Sequence, residues 1–203
     1  MGLEDASVPG ELDWDTRLDF SLGLPLGDQV VQVQAMNGAS HAGARADVKL
    51  LAVTGAPEGE LVVALAWDAQ SDVDLHVVDP AGVDVNPKNI NSYSAPPPGE
   101  PPDPPGAWQV GGRMDFDSNA ACVLDGKRRE NAVWETAPPP GKYYVLVNLF
   151  DLCGQTRASY RIDVLYKGVP LGTAQGVLYE SDARKQPPDG EAPGLYVTEF
   201  DLP

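Results

Sequence analysis

The chain has 203 residues, of which 42% are hydrophobic, and its 30 acidic against 14 basic side chains give a formal charge of -16. That is enough apolar material for a core in one large β domain or a domain with a smaller partner, and the negative charge argues against nucleic-acid phosphate or an anionic membrane surface as partner. Twenty-one glycines and 20 prolines argue against long helices, and there is no apolar run of about eighteen residues to span a membrane.

Residues 1–27 are acidic and rich in turn formers, and read as an N-terminal extension in which Trp14, Leu18, Phe20 and Leu22 could anchor a short edge strand. Met1-Gly2-Leu3-Glu4-Asp5 has neither a basic n-region nor an apolar h-region. Either the protein is cytosolic or a signal has been removed. Residues 28–203 read as a single β-sandwich domain. Val31, Val33 and Ala35 alternate with Gln32 and Gln34, which predicts a strand over 29–35, followed by a turn at Asn37-Gly38. Two further strands are expected over 46–53 and 60–67, joined through 54–59 as a hairpin.

That hairpin leads into the stretch on which the rest depends. Asp72-Val73-Asp74-Leu75-His76-Val77 alternates with period two, so a strand places Asp72, Asp74 and His76 on one face and Val73, Leu75 and Val77 on the face a core would take. Two carboxylates one strand repeat apart repel, and a fold that keeps them together must supply water, a positive side chain or a metal ion. Asp79-Pro80-Ala81-Gly82 is a turn, and 83–85 a short strand. Residues 95–106 hold seven prolines and two glycines, which places them on the surface as a polyproline-type loop inserted into the domain.

A second acidic group follows. Asp115, Asp117 and Asn119 stand at alternate positions after Gly111-Gly112-Arg113-Met114, all with hard oxygen ligands. This is the spacing that opens an EF-hand loop, but Ala120 stands where the loop needs glycine and Gly126 where it needs the bidentate Glu. An EF-hand is therefore excluded. The expected arrangement is that both groups meet around calcium, with Asp72, Asp74, Asp115, Asp117, Asn119 and Glu130 as the ligand set and His76 orienting a carboxylate. The competing arrangement is a hydrogen-bonded polar cluster in which the carboxylates cap turns and pair with Arg113 or Arg129. His41, His76, Cys122 and Cys153 show no short-spaced ligand pairs for zinc.

The basic patch Lys127-Arg128-Arg129 reads as solvated charge or local counter-ions. Residues 142–150 form the strongest strand, 160–166 another, and after a turn over 168–172 two short strands follow at 177–179 and 195–202. The class is all-β, an antiparallel β-sandwich of jelly-roll or Ig-like type with little helix. Its expected core comprises Val63, Leu65, Trp67, Val73, Leu75, Val77, Val145, Val147, Ile162 and Val164. Cys122 and Cys153 lie at turn-like ends flanking the strands of Trp134 and Tyr144, and are expected to form a disulfide, which places the protein outside the cytosol in periplasm, at the cell surface or secreted.

The order of Asp-Val-Asp-Leu-His-Val-Val-Asp-Pro-Ala-Gly, Gly-Gly-Arg-Met-Asp-Phe-Asp-Ser-Asn, Glu-Asn-Ala-Val-Trp and Pro-Pro-Gly-Lys-Tyr-Tyr-Val-Leu-Val resembles the bacterial YfaP-like family over residues 61–167. The resemblance implies an exported or envelope protein with a β-sandwich similar to the calcium-stabilised domains appended to secreted peptidases. Asp72, Asp74, His76, Asp115, Asp117, Asn119 and Glu130 stand at its motif positions.

Catalysis has little support: there is no Gly-x-Ser-x-Gly elbow, phosphate loop or dinucleotide fingerprint. The expected role is a non-catalytic, calcium-stabilised module engaging protein or cell-envelope glycan. Its alternative is a lectin-like carbohydrate-binding module using the ion or aromatics such as Trp108 and Tyr93. A carboxylate-dependent hydrolase using Asp115 and Glu130 as acid and base ranks below both.

Overall fold

The structure, a computed structural model, describes residues 3–4, 12–13, 18, 20, 24–25, 27–52, 55–183 and 194–203. The strands are β1 (Leu3–Glu4), β2 (Leu12–Asp13), β3 (Gly27–Met36), β4 (Ala42–Ala52), β5 (Leu61–Trp67), β6 (Asp72–Val78), β7 (Asp84–Val85), β8 (Gly112–Met114), β9 (Arg129–Trp134), β10 (Gly141–Asp151), β11 (Arg157–Tyr166), β12 (Val169–Tyr179) and β13 (Leu195–Leu202). The helical content of these residues is three single 3₁₀ turns, at Ala107–Gln109, Ala120–Cys122 and Glu180–Asp182. One sheet has the order β13-β10-β6-β7 and the other β12-β11-β5-β9-β8, with every strand pairing antiparallel. The fold is all-β and sandwich-like, its two sheets not closed into a barrel.

Alternation explains how the core is filled. Val73, Leu75 and Val77 of β6 and Tyr143, Val145, Val147 and Leu149 of β10 meet Leu61, Val63, Leu65 and Trp67 of β5, Trp134 of β9, and Ile162 and Val164 of β11. All ten residues expected in the core lie in this cluster. Each fully buried aliphatic contributes about 1.5 to 3 kcal/mol relative to exposure. Tyr143 lies edge-on to Trp134 at 5.6 Å and stacks on Phe200 at 5.1 Å. Gly112 is required where it stands, because a Cβ there would collide with the Trp134 ring.

β5 departs from strict alternation. Its second face is also covered, Val62 and Ala64 packing with Val133 under Leu165 and Ala56.

Three expectations are corrected. The strand over 46–53 does not form a hairpin with 60–67: β4 pairs with β3 through the Asn37-Gly38 turn, and β5 pairs with β11 and β9. The β3–β4 ribbon belongs to neither sandwich sheet. Pro170 does not mark a turn but lies within β12, tolerated because that strand is an edge with one side free of ladder bonds. Leu18 and Phe20 are exposed rather than anchored, whereas Trp14 and Leu22 lie outside the described residues. The proline-rich 95–106 segment is irregular and largely exposed, as its composition predicts.

Candidate metal centre

On β6 the polar face is as deeply buried as the apolar one: Asp72, Asp74 and His76 are 2%, 5% and 1% exposed. A sheet face carrying two carboxylates would ordinarily be wet. Here residues 84–88 and 117–121 close over it and leave a cavity of about 160 Å³ lined by Asp72, Asp74, Pro87, Lys88, Asp117, Ala120, Ala121 and Phe150.

Three carboxylates converge on that cavity. Asp72, Asp74 and Asp117 each offer an oxygen, and the three oxygens lie within 4.8 Å of one another. Asp72 Oδ1 is buried with no hydrogen-bond partner. Burial is the main cause that pushes the Asp72 carboxyl up to about 6; the charges of Asp117 and Asp151 add to it, while the Ala121 and Cys122 N–H groups oppose it. Asp117 is also raised, by burial and then by Asp125, against the pull of the Lys88 ammonium. Partial desolvation and mutual repulsion therefore hold the group in a state that an additional positive charge would relieve.

The wall over Asp72 is built from backbone in unusual conformations. Asn119, Ala121 and Cys122 have φ of 61°, 49° and 62°, in the left-handed region that non-glycine residues rarely adopt. This turns two successive N–H groups, those of Ala121 and Cys122, towards the Asp72 carboxylate. The expected disulfide is present: Cys122 is bonded to Cys153, with the Cα atoms 5.5 Å apart, and ties the turn to the end of β10. The Cys153 N–H in turn donates to Asp151 Oδ1 at 2.6 Å.

The other expected ligands are placed beside this trio in different roles. Asp115 is engaged with Asn131: its Oδ1 accepts from the Asn131 N–H at 2.9 Å and its Oδ2 from the Asn131 amide at 2.6 Å. Both ends of the Asn119 amide tie the loop down, Nδ2 donating to the Ser71 carbonyl at 3.0 Å and Oδ1 accepting from the Asp125 N–H at 3.1 Å. Glu130, fully buried, accepts from the Leu75 N–H at 2.8 Å and the Ser118 N–H at 3.1 Å. Its carboxyl is held well above the usual range, first by burial and then by the charge of Asp74. Glu130 is thus a buried strut from β9 that satisfies the unpaired edge of β6 and the loop bearing Asp117. His76 Nδ1 lies at hydrogen-bond distance, 2.8 Å, from Asp84 Oδ2, a carboxylate outside the expected ligand set.

The arginines expected to bridge the carboxylates are engaged elsewhere. Arg113 pairs with Glu135, and Arg129 donates to the Gly55 carbonyl. The cation that faces Asp117 is Lys88, whose ammonium also lies 5.8 Å from the centre of the Phe150 ring.

Lys88 was not anticipated, nor were Asn148 and Asp151. β10 is antiparallel to β6 in a register that sets Asn148 opposite Asp74 and Asp151 opposite Asp72. The Asn148 amide reaches Asp74 Oδ2 at 3.4 Å, and its own oxygen is buried without a hydrogen-bond partner. A single asparagine inside the otherwise apolar run 145–150 was the available signal. No protein-family model, curated protein or solved structure matches this chain.

Proposed function

We propose that Asp72, Asp74 and Asp117 hold a calcium ion that stabilises a non-catalytic, extracytoplasmic module engaging protein or cell-envelope partners. The observation that carries this reading is the convergence of three carboxylate oxygens within 4.8 Å, one of the carboxylates having a buried oxygen without a hydrogen-bond partner. Hard oxygen donors suit calcium, which takes six to eight oxygens. A cavity of about 160 Å³ leaves room for water or a carbonyl to complete the shell. Asn148 is the nearest amide in register to join it.

The Cys122–Cys153 disulfide is compatible with an oxidising compartment, and among the described residues no helix is long and apolar enough to cross a membrane. Membership of the YfaP-like family, resting on the order of the motifs, belongs to the same proposal. A lectin-like role is the second reading, favoured by Trp108, half-exposed beside the proline-rich loop.

Thermal unfolding in chelator and in millimolar calcium tests the ion. At a hundredfold excess over Kd the expected stabilisation is about 2.7 kcal/mol. Asp74→Asn and Asp117→Asn should each abolish it, and the double variant should lose little more. Identical melts with and without calcium would reject the site. Binding to immobilised polysaccharides with and without chelator separates the lectin reading from protein engagement.

A further inference from the structure

Long sheet edges expose unpaired N–H and C=O groups and recruit further strands unless they are short, charged, bulged or interrupted by proline. All four edge strands of the sandwich carry such a device, but to different extents. β7 and β8 are two and three residues long. β13 carries Glu199 and Asp201, both paired with Lys142, and shifts register against β10 between Val145 and Leu146. β12 is protected at its start alone. It has eleven residues and no charged side chain, and after its proline and a register shift, residues 172–179 pair with β11 without a break. Val177 and Tyr179 on its outward side are 41% and 51% exposed.

The flank beside β12 is also thinly covered. Its positions opposite the buried Tyr160, Ile162 and Val164 are Gly176, Ala174 and Gly172, which supply almost no side chain. On the facing sheet Leu195, Val197 and Phe200 of β13 are only partly buried.

The chain carries a second unprotected edge. A two-stranded ribbon alone is marginal in water, and among the described residues β3–β4 forms a sheet of two strands with no strand on either outer edge. β4 is guarded by Arg45, Asp47 and Lys49, whereas the ten residues of β3 hold one charge, Asp28, next to its start. Register places Val31 opposite Val48 and Val33 opposite Ala46, so one face of the ribbon is apolar, and Val33 and Val48 are 39% and 45% exposed. In a chain of formal charge -16, two acidic and two basic side chains leave this ribbon neutral.

We infer that β3 of one copy adds to β12 of a second copy, extending the five-stranded sheet by the ribbon, with the ribbon's valine face continuing the inner face over the thin flank. The exchange is reciprocal, each chain giving a ribbon and receiving one. The ten residues of β3 are long enough to run along residues 172–179 of β12. Repulsion between two strongly acidic molecules opposes every contact except one between neutral surfaces, which these two edges provide.

The test is the mass of the full chain by sedimentation equilibrium across concentration, in calcium and in chelator, so that the outcome is independent of the ion. A dimer is expected in both. Gln175→Lys with Val177→Lys on β12, and separately Gln32→Lys with Gln34→Lys on the face of β3 opposite Val31 and Val33, should each halve the mass while leaving the melting temperature of the sandwich in place. Tyr196→Lys on β13 should leave the dimer intact. A monomer at every concentration overturns the inference, as does a dimer insensitive to either pair or sensitive to only one. Hydrogen exchange of the β12 amides should slow as concentration rises. Slow exchange at all concentrations would mean that a strand of the same chain covers the edge, and would overturn the second copy as occupant.

Discussion

Two sets of aspartates in this chain have the same chemistry and opposite circumstances. Asp115 is satisfied by Asn131, Asp79 by the N–H groups of Ala81 and Val83, and Asp68 by the N–H of Ser159 at 2.7 Å. Asp72, Asp74 and Asp117 instead face one another across a cavity, with a buried Asp72 oxygen that no donor reaches. A carboxylate that accepts from nearby backbone N–H groups and is not crowded by its own kind stabilises a turn and has no need of an ion. One held against its own kind costs stability that a cation would relieve, and the proposed ion site rests on that cost.

The largest way to break the contrast is through the turn that shapes it. Replacing both Cys122 and Cys153 with Ala should cost about 3 to 4 kcal/mol in the chain-entropy account. It should also weaken calcium binding, because the left-handed turn that aims two N–H groups at Asp72 loses its tie to β10. Calorimetric titration of calcium into the oxidised and the substituted protein checks this.

Acidity sharpens the contrast next. The folded Asp72 carboxyl is raised from 3.8 to about 6, so the native state holds its proton more tightly than the unfolded chain does. Its contribution is fully present below pH 3.8 and is lost as pH rises through about 6, a difference of about 3 kcal/mol. Melts in chelator should show this loss. The increment given by calcium should grow over the same range and vanish at its acid end, whereas an ion site without raised carboxyls would lose affinity only nearer pH 4.

Asp115→Ala should cost about 1 to 3 kcal/mol by leaving the Asn131 N–H without its acceptor. The increment from calcium should survive. Asp117→Asn should do the reverse, raising the melting temperature in chelator by relieving repulsion and removing the response to calcium. If the two variants behave alike, the division between the sets is wrong. The smallest effect is expected of Lys88→Met, which removes a positive charge facing Asp117 and should tighten calcium binding a few-fold, read by the same titration.

How far the sequence reaches differs between fold and site for physical reasons. Alternation around Val73, Val145 and Ile162 reports burial directly, so the core and the strand that carries the site were legible. Pairing partners were less so: β4 and β5 each look like a hairpin strand, and only the Asn37-Gly38 turn shows which neighbour β4 takes. The convergence of Asp72 and Asp74 with Asp117 followed from chemistry, since each group alone offers too few oxygens. The separation of Asp115 from Asp117 did not, because it depends on Asn131 arriving from β9 with a free N–H and amide. Lys88 and Asn148 were hidden because a lone lysine in a loop and one asparagine in an apolar strand have no periodicity to mark them.

The Cys122–Cys153 bond also has a mechanical consequence. The two cysteines are 31 positions apart, and the span between them includes all of β9 and β10. A chain pulled from its ends cannot extend through that span, which withholds roughly 100 Å of contour at about 3.4 Å per residue. Force travelling along the chain would bypass Glu130 and Asn148 inside the loop but pass through β6, which carries Asp72 and Asp74. If the proposed calcium ion is bound, such loading would fall on its ligands Asp72, Asp74 and Asp117, and calcium concentration would then set the load at which the protein begins to give way.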